Sequence, residues 1–273
     1  MSTLTATVLP QRQHQRGALL QHSVYLAARS TRALWRQPAF AAATLVQPII
    51  WLLLYGALFK KVVEIPGFEA TSYIQFLTPG VVVMTALFSA GWGGMGMIED
   101  INRGVVDRFL VSPARRSSMI AGRLLQGMLV ILIQSVIILV LPWIVGARFP
   151  NGIAGILVLI AVAALLGASF GALSNGLALL ARREETLIAV MNFLLLPLTF
   201  LSAAFMQQSL MPSWMQSVAE VNPVNWAVQA GREASLGGTD WSMVAGRIGL
   251  LVALLAVCSV FATRAFRSYQ RSV

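Results

Sequence analysis

The sequence "MIEDINRGVVDRFLVSPARRSSMIAGR", residues 97–123, places a dense group of charges between two long apolar runs. Its charged side chains are Glu99, Asp100, Arg103, Asp107, Arg108, Arg115, Arg116 and Arg123. We call this stretch the charged segment. Only 11% of the whole chain is charged, whereas a soluble domain carries roughly a quarter. The contrast predicts an integral membrane protein in which the charged segment joins two helices outside the bilayer.

The apolar runs on both sides predict the rest of the fold. Hydrophobic residues make up 57% of the chain, and a membrane-spanning helix needs about 20 consecutive apolar residues. The fold class is therefore an all-α integral membrane protein, with residues 1–273 forming one transmembrane domain. Six transmembrane helices are predicted, at residues 39–59, 73–98, 119–146, 153–181, 186–206 and 243–264.

The positions of the basic residues predict the orientation. Placing the N-terminus in the cytoplasm puts fifteen of the 20 lysines and arginines on the inner side, as the positive-inside rule requires. Both termini are then cytoplasmic. The net charge of +10 is explained by the ends of the spans, so a nucleic-acid partner is not indicated.

Two further segments are too polar to span a membrane. Residues 17–36 have the pattern of a basic amphipathic helix lying at the membrane surface, with a disordered basic arm as the alternative. Residues 207–235, which we call the polar loop, are polar but contain tryptophans of the kind found at the headgroup level. They predict short re-entrant helices on the outer side.

Several kinds of chemistry are disfavoured by the sequence. The two lysines, Lys60 and Lys61, follow no glycine-rich loop, so the phosphate-binding motif of many ATPases is missing. The lone Cys258 excludes a disulfide framework. The predicted span interiors contain no Asp, Glu or Lys, which argues against an ion-coupled carrier. We therefore expect no catalytic residue, metal site or cofactor in this chain.

Small and polar residues within the spans predict contacts between helices. The glycine-rich "GWGGMGM" at residues 91–97, and the Gly167 and Gly171 pair, favour close helix packing. The polar side chains can form hydrogen bonds across helices; they include Gln134, Ser169, Ser174 and Asn175.

Within the charged segment, apolar residues recur at helical spacing. They are Ile98, Ile101, Val105, Phe109 and Leu110. Glu99 and Arg103 lie four residues apart, where they can pair across one turn. Pro113 disfavours helical backbone at Ser112. A short amphipathic helix over residues 99–112 follows from this pattern.

In these motifs the chain resembles the type-2 ABC exporter permeases, particularly the bacterial daunorubicin-resistance group. The matching residues of the charged segment are Glu99, Gly104, Leu110, Ser112, Pro113 and Arg116, and those of the polar loop are Pro212, Trp214, Asn222, Pro223 and Arg232. The resemblance extends over nearly the whole chain. It departs from the family pattern where Asn102 and Asp107 stand in place of glutamates.

The resemblance implies a complex in the bacterial cytoplasmic membrane. It comprises two copies of the permease, or this chain and a related one, with two separate ATPase subunits that bind ATP and Mg. The resemblance implies that residues 99–112 form the coupling helix, which contacts an ATPase subunit. The residues assigned to coupling are Glu99, Asp100, Arg103, Gly104, Val105, Asp107, Arg108, Phe109, Leu110, Ser112, Pro113 and Arg116. The chain itself is not an enzyme.

The resulting hypothesis is a permease that exports a hydrophobic or amphipathic molecule, either drug-like or lipid-like. Its path is expected at the dimer interface between the second and fifth spans, with candidate contacts Met84, Phe88, Met191, Phe193 and Phe200. Flexible methionines and flat aromatics suit varied apolar ligands. Export of a lipid-linked glycan, secondary or passive transport, and a membrane scaffold that only recruits a partner are the alternatives.

Overall fold

The computed structural model describes residues 38–66, 68, 70, 72–106, 117–237 and 240–271. In these residues all regular secondary structure is helical, in agreement with the predicted all-α class. The α-helices are α1 (Pro38–Leu58), α2 (Tyr73–Gly91), α3 (Gly93–Asn102), α4 (Ser117–Ile144), α5 (Gly152–Ala181), α6 (Glu184–Phe200), α7 (Ser213–Val221), α8 (Pro223–Leu236) and α9 (Trp241–Arg271). Short 3-10 helices occupy Lys60–Glu64 and Gln208–Leu210. The predicted surface helix at residues 17–36 lies outside the described residues.

Four helical stretches among the described residues are long and apolar enough to cross a membrane. They are Tyr73–Asn102, Gly122–Ile144, Gly152–Ala181 and Trp241–Arg271. These correspond to the second, third, fourth and sixth predicted spans. The first predicted span coincides with α1, whose described apolar part is the shorter stretch Leu45–Leu58. The fifth coincides with α6, which has 17 residues.

Helix α5 lies at the centre of the fold and packs against α9, α8, α2 and α4. Small residues make this possible, as the sequence predicts for Gly167. A Cβ atom there would meet the Ile131 side chain, and it would lie 3.3 Å from the carbonyl oxygen of Ala86. The backbones of α5 and α2 therefore approach closely at this glycine.

The predicted second span is divided into two helices. Trp92 ends α2 and precedes α3, with glycines on both sides. A Cβ atom on Gly94 would lie 2.5 Å from the carbonyl oxygen of Ser174 in α5. The close packing predicted for the glycine-rich stretch is confirmed, but the helix is not continuous through it, because glycine has low helix propensity.

The ends of α5 and α9 meet through an aromatic contact. Arg182 ends α5 in the left-handed conformation, with φ at 55°. Its guanidinium lies 4.7 Å from the ring centroid of Tyr269 in α9, a distance at which a cation and a ring attract each other. Glu184 and Glu185 then occupy the first turn of α6, where negative charge complements the helix dipole.

The polar loop folds into the short helices that its sequence predicts. Helix α8 is the most enclosed, because it packs against α5, α2 and α9. Small residues on its buried face, Ala227, Ala230, Gly231 and Ala234, allow this contact. Asn222 caps its N-terminus by accepting a hydrogen bond from the backbone N–H of Val224 at 2.9 Å, as expected for asparagine at that position.

Candidate functional site

The candidate coupling site includes two acidic residues near the C-terminal end of α3. Asp100 forms an ion pair with Arg123 of α4, and Arg123 also donates a hydrogen bond to the carbonyl of Gly96 at 2.9 Å. Two neighbouring helices are thereby joined at the base of the charged segment. The predicted pair between Glu99 and Arg103 is confirmed, with the nitrogen and oxygen 2.6 Å apart.

The helix of the charged segment differs from the prediction at Arg103 and Gly104. We expected a continuous helix over residues 99–112, but α3 ends at Asn102 and Gly104 adopts a φ of +65°. Glycine takes this left-handed conformation readily, which is why it commonly ends helices. Gly104 is thus a turn residue, and helical backbone resumes at residues 105 and 106.

The two valines that follow this turn differ in the exposure of their side chains. The predicted anchor Val105 is 36% exposed, whereas Val106 is fully buried. Val105 stays a predicted docking anchor, since an exposed apolar side chain is available to a partner subunit. The remaining predicted coupling residues lie outside the described part of the chain: Asp107, Arg108, Phe109, Leu110, Ser112, Pro113 and Arg116.

The candidate substrate contacts fall into two groups. Met84 and Met191 are buried in the protein core, so they do not face the surface in this conformation. Phe88 is half-buried. Phe193 and Phe200 are 83% and 54% exposed on α6. The structure therefore places these two aromatic rings on an outward-facing side of the helix bundle.

Asn222 of the polar loop does more than cap α8. Its side-chain amide donates hydrogen bonds to the carbonyl oxygens of Leu198 at 2.7 Å and Leu201 at 2.9 Å. These carbonyls belong to the C-terminal end of α6, where backbone acceptors lose their helical partners. One side chain thus joins the end of α6 to the start of α8.

Asn225 is a second connecting residue, which the sequence analysis missed. It is fully buried. Its Oδ1 accepts the backbone N–H of Ala203 at 2.9 Å, and its Nδ2 donates to the carbonyl of Ala219 at 2.9 Å. The sequence signal was the polar residue three positions after Asn222 in a helix otherwise lined with small residues.

Arg232 connects α8 with α2 and the chain after α6. Its guanidinium donates to the carbonyl oxygens of Ala203 at 2.8 Å and Phe76 at 3.3 Å. It also lies 3.7 Å from the ring centroid of Phe76. A planar cation that has several donors is suited to this combination of carbonyls and an aromatic face.

The other predicted polar-loop residues have local roles. Pro212 precedes α7, and Pro223 is the first residue of α8, a favoured position for proline. Trp214 is 60% exposed. Among the residues that the structure describes, no group of three His, Cys, Asp or Glu side chains could hold a metal ion.

Comparison with known proteins identifies the family. The sequence model described as "ABC-2 type transporter" matches residues 22–236, which include both the charged segment and the polar loop. The chain belongs to the ABC-2 type transporter family. This ABC-2 chain is therefore a member of a family of membrane transport subunits, in agreement with the resemblance found in its motifs.

Individual relatives of the ABC-2 chain carry related names. The "Daunorubicin resistance ABC transporter permease protein DrrB1" of Streptomyces coeruleorubidus is 29% identical over 82% of this chain and 77% of its own length. The "Putative transport permease ycf38" of Cyanophora paradoxa is 31% identical over 77% of this chain and 72% of its own. The "Inner membrane transport permease YadH" of Escherichia coli K12 is 27% identical over 78% and 82%.

Proposed function

We propose that the chain is the permease subunit of an ATP-driven exporter in the bacterial cytoplasmic membrane. Its substrate is hydrophobic or amphipathic, drug-like or lipid-like. Support comes from the ABC-2 membership, from the apolar helices, and from the name of the Streptomyces relative, which refers to daunorubicin resistance.

The proposed topology has six spans with both termini in the cytoplasm. Helices α1 and α6 have 21 and 17 residues, and spanning helices range over about 17–25 residues. We therefore count them with the four longer spans. The basic residues at the span ends support this orientation, which places the charged segment inside and the polar loop outside.

The ion pair between Asp100 and Arg123 is the observation that carries the proposal. It ties α3 to α4, so a force applied to the charged segment acts on two spans together. In the proposed complex, residues 99–116 contact a separate ATPase subunit, which binds ATP and Mg. Helix-in-groove docking of this kind uses apolar anchors, and the surrounding charges set orientation and specificity.

Two permease chains and two ATPase subunits make up the proposed complex. The second permease is another copy or a related chain, and the substrate passes between them. Phe193 and Phe200 are our preferred path contacts, because both rings already face outward. Met84 and Met191 contact substrate only if α2 and α6 separate, since both side chains are buried here.

The test is co-expression of this chain with proteins encoded by neighbouring genes, followed by purification and ATPase assay in lipid nanodiscs. A Phe109→Ala/Leu110→Ala variant removes two predicted anchors. The matched control is Ile153→Ala/Leu157→Ala, which shortens two side chains that are 77% and 60% exposed at the start of α5, the opposite end of the proposed topology. We expect the first variant, but not the control, to lose the ATPase or its substrate-stimulated turnover.

The alternatives give different results when transport by the reconstituted protein is measured beside its ATPase activity. A secondary carrier transports without a nucleotide-binding partner. A scaffold binds a partner but shows no transport and no dependence on nucleotide turnover. If no ATPase associates with the wild-type chain under any lipid composition, the exporter proposal is wrong.

A further inference from the structure

The junction between α2 and α3 is an interruption within an apolar span. The amide of Trp92 donates to the carbonyl of Phe88 at 3.1 Å, the usual four-residue spacing. The amide of Met95 donates instead to Trp92 at 3.0 Å, a three-residue spacing. The hydrogen-bond pattern therefore tightens at this point, next to Gly91, Gly93 and Gly94.

Ser174 of α5 inserts its hydroxyl into this interruption. The hydroxyl donates a hydrogen bond to the carbonyl of Gly91 at 2.5 Å and accepts one from the backbone N–H of Gly94 at 3.1 Å. Ser174 is fully buried. A side chain that enters the backbone ladder is a known way of interrupting a helix, and here one atom satisfies groups on both sides of the interruption.

The two helices on either side of the interruption have different surroundings. Helix α2 is buried along most of its length. Helix α3 has fewer buried residues, and a Cβ atom on Gly93 would meet nothing within 4 Å. The end of α3 is linked to α4 through Arg123 and leads into the charged segment. Helix α3 is therefore less enclosed than α2, and a tilt of α3 has to break only a few buried contacts, chiefly those of Met97, Ile98 and Gly94.

From this geometry we infer that Ser174 is a positioning residue that latches a hinge at Gly91–Gly94. When the hinge opens, α3 and the start of the charged segment tilt as one unit against α2. The coupling role of this movement rests on the proposed function, because it requires an ATPase that pushes the charged segment. The hinge itself does not depend on that proposal.

The first experiment measures hydrogen–deuterium exchange by mass spectrometry on the purified chain in lipid nanodiscs. Ser174→Ala removes the latch. Ser169→Ala is the matched control, because Ser169 is also fully buried in α5 but donates only within its own helix, to Leu165 at 2.8 Å. We expect exchange across residues 92–98 to rise about tenfold in Ser174→Ala, as loss of a net hydrogen bond predicts, and to stay at the wild-type rate in the control.

A second variant acts in the opposite direction. Gly93→Ala adds a methyl group into open space and favours continuous helix, so we expect exchange across residues 92–98 to slow by about threefold. This variant keeps Ser174, so it tests the hinge even if Ser174→Ala folds poorly. Unchanged exchange in Gly93→Ala, or equal exchange in the two serine variants, overturns the hinge.

The coupling role is tested on the complex with its ATPase, with and without ATP. We expect ATP to change exchange across residues 92–98 by about tenfold in wild type and in Ser169→Ala, if nucleotide opens or closes a latch worth one hydrogen bond. The change should be several-fold smaller in Ser174→Ala, whose junction is already open. If the exchange rate of residues 92–98 in the wild-type complex is the same with and without ATP, the coupling role is excluded. Failure of the wild-type chain to bind an ATPase removes the proposed function and that role together, while the experiment on the chain alone still decides the hinge.

Discussion

Asp100 and Arg123 form a more enclosed ion pair than Glu99 and Arg103, although both pairs start from adjacent residues of α3. The side chains of Asp100 and Arg123 are 31% and 19% exposed, against 54% for Glu99 and 69% for Arg103. The enclosed pair joins two helices, whereas the exposed pair remains within one turn. The two pairs should therefore contribute very differently to stability.

A double-mutant cycle tests this difference. Asp100→Asn and Arg123→Gln, singly and together, should give a coupling energy of about 1–2 kcal/mol, because removal of either partner leaves a partly buried charge. Glu99→Gln and Arg103→Gln should give about 0.3–0.5 kcal/mol, typical of an exposed pair on a helix. Thermal unfolding in detergent at low salt measures both. Equal coupling energies would contradict the structural distinction.

Asn225→Ala should destabilise the polar loop strongly. The change leaves the backbone N–H of Ala203 and the carbonyl of Ala219 without their present partner, and each unsatisfied buried group costs about 1–3 kcal/mol. Thermal unfolding of the purified chain measures the loss. Ser217→Ala is the control, because that hydroxyl is exposed and its bond to Ser213 is 3.3 Å long; its melting temperature should remain near that of wild type.

Arg232→Lys should fail to replace arginine even though it keeps the positive charge. A lysine ammonium cannot reproduce the planar contact with Phe76 together with the bonds to separate carbonyls. We expect a loss of about 2 kcal/mol, from the weakened charged hydrogen bonds and cation–π contact. Arg183→Lys, at an exposed position, is the comparison in the same unfolding assay. A loss at position 232 no larger than at 183 would show that the contacts of Arg232 add nothing.

Gly155→Ala should destabilise the contact between α5 and α8. A Cβ atom there would collide with the carbonyl oxygen of Ala234, and a misfit of this size costs typically about 1–3 kcal/mol. Gly246→Ala in α9 meets nothing within 4 Å and should instead stabilise by about 0.5–1 kcal/mol, because alanine favours helix. Opposite shifts in melting temperature are the expected result, and shifts of the same sign would count against the packing described.

The spans were the most predictable part of the fold. Long apolar runs around Leu166 and Leu251 specify membrane-length helices because every backbone polar group within the bilayer must be hydrogen-bonded inside its own segment. Ser174 was correctly predicted to bond across helices. Ser169 and Asn175, in the same prediction, donate instead to carbonyls of their own helix.

The candidate site was less predictable because it depends on contacts between distant parts of the chain. The partners of Asn225 are 22 and six residues away, and no periodic pattern identifies them. Gly104 was recognised in a motif, but its ability to end α3 was overlooked, so the sequence predicted a continuous helix where the structure has a turn. The coupling roles of the charged segment stay predictions.

The burial of α8 has a consequence for how the chain is assembled during synthesis. Helix α8 precedes α9, yet α9 forms part of the surface that encloses it. The polar loop is therefore synthesised before the last helix that packs against it. Helix α8 can pack first against α5 and α2, which precede it, but its packing is completed only when the final span has inserted. Truncation before Trp241 should therefore leave α8 uncovered on the side that α9 occupies in the complete fold.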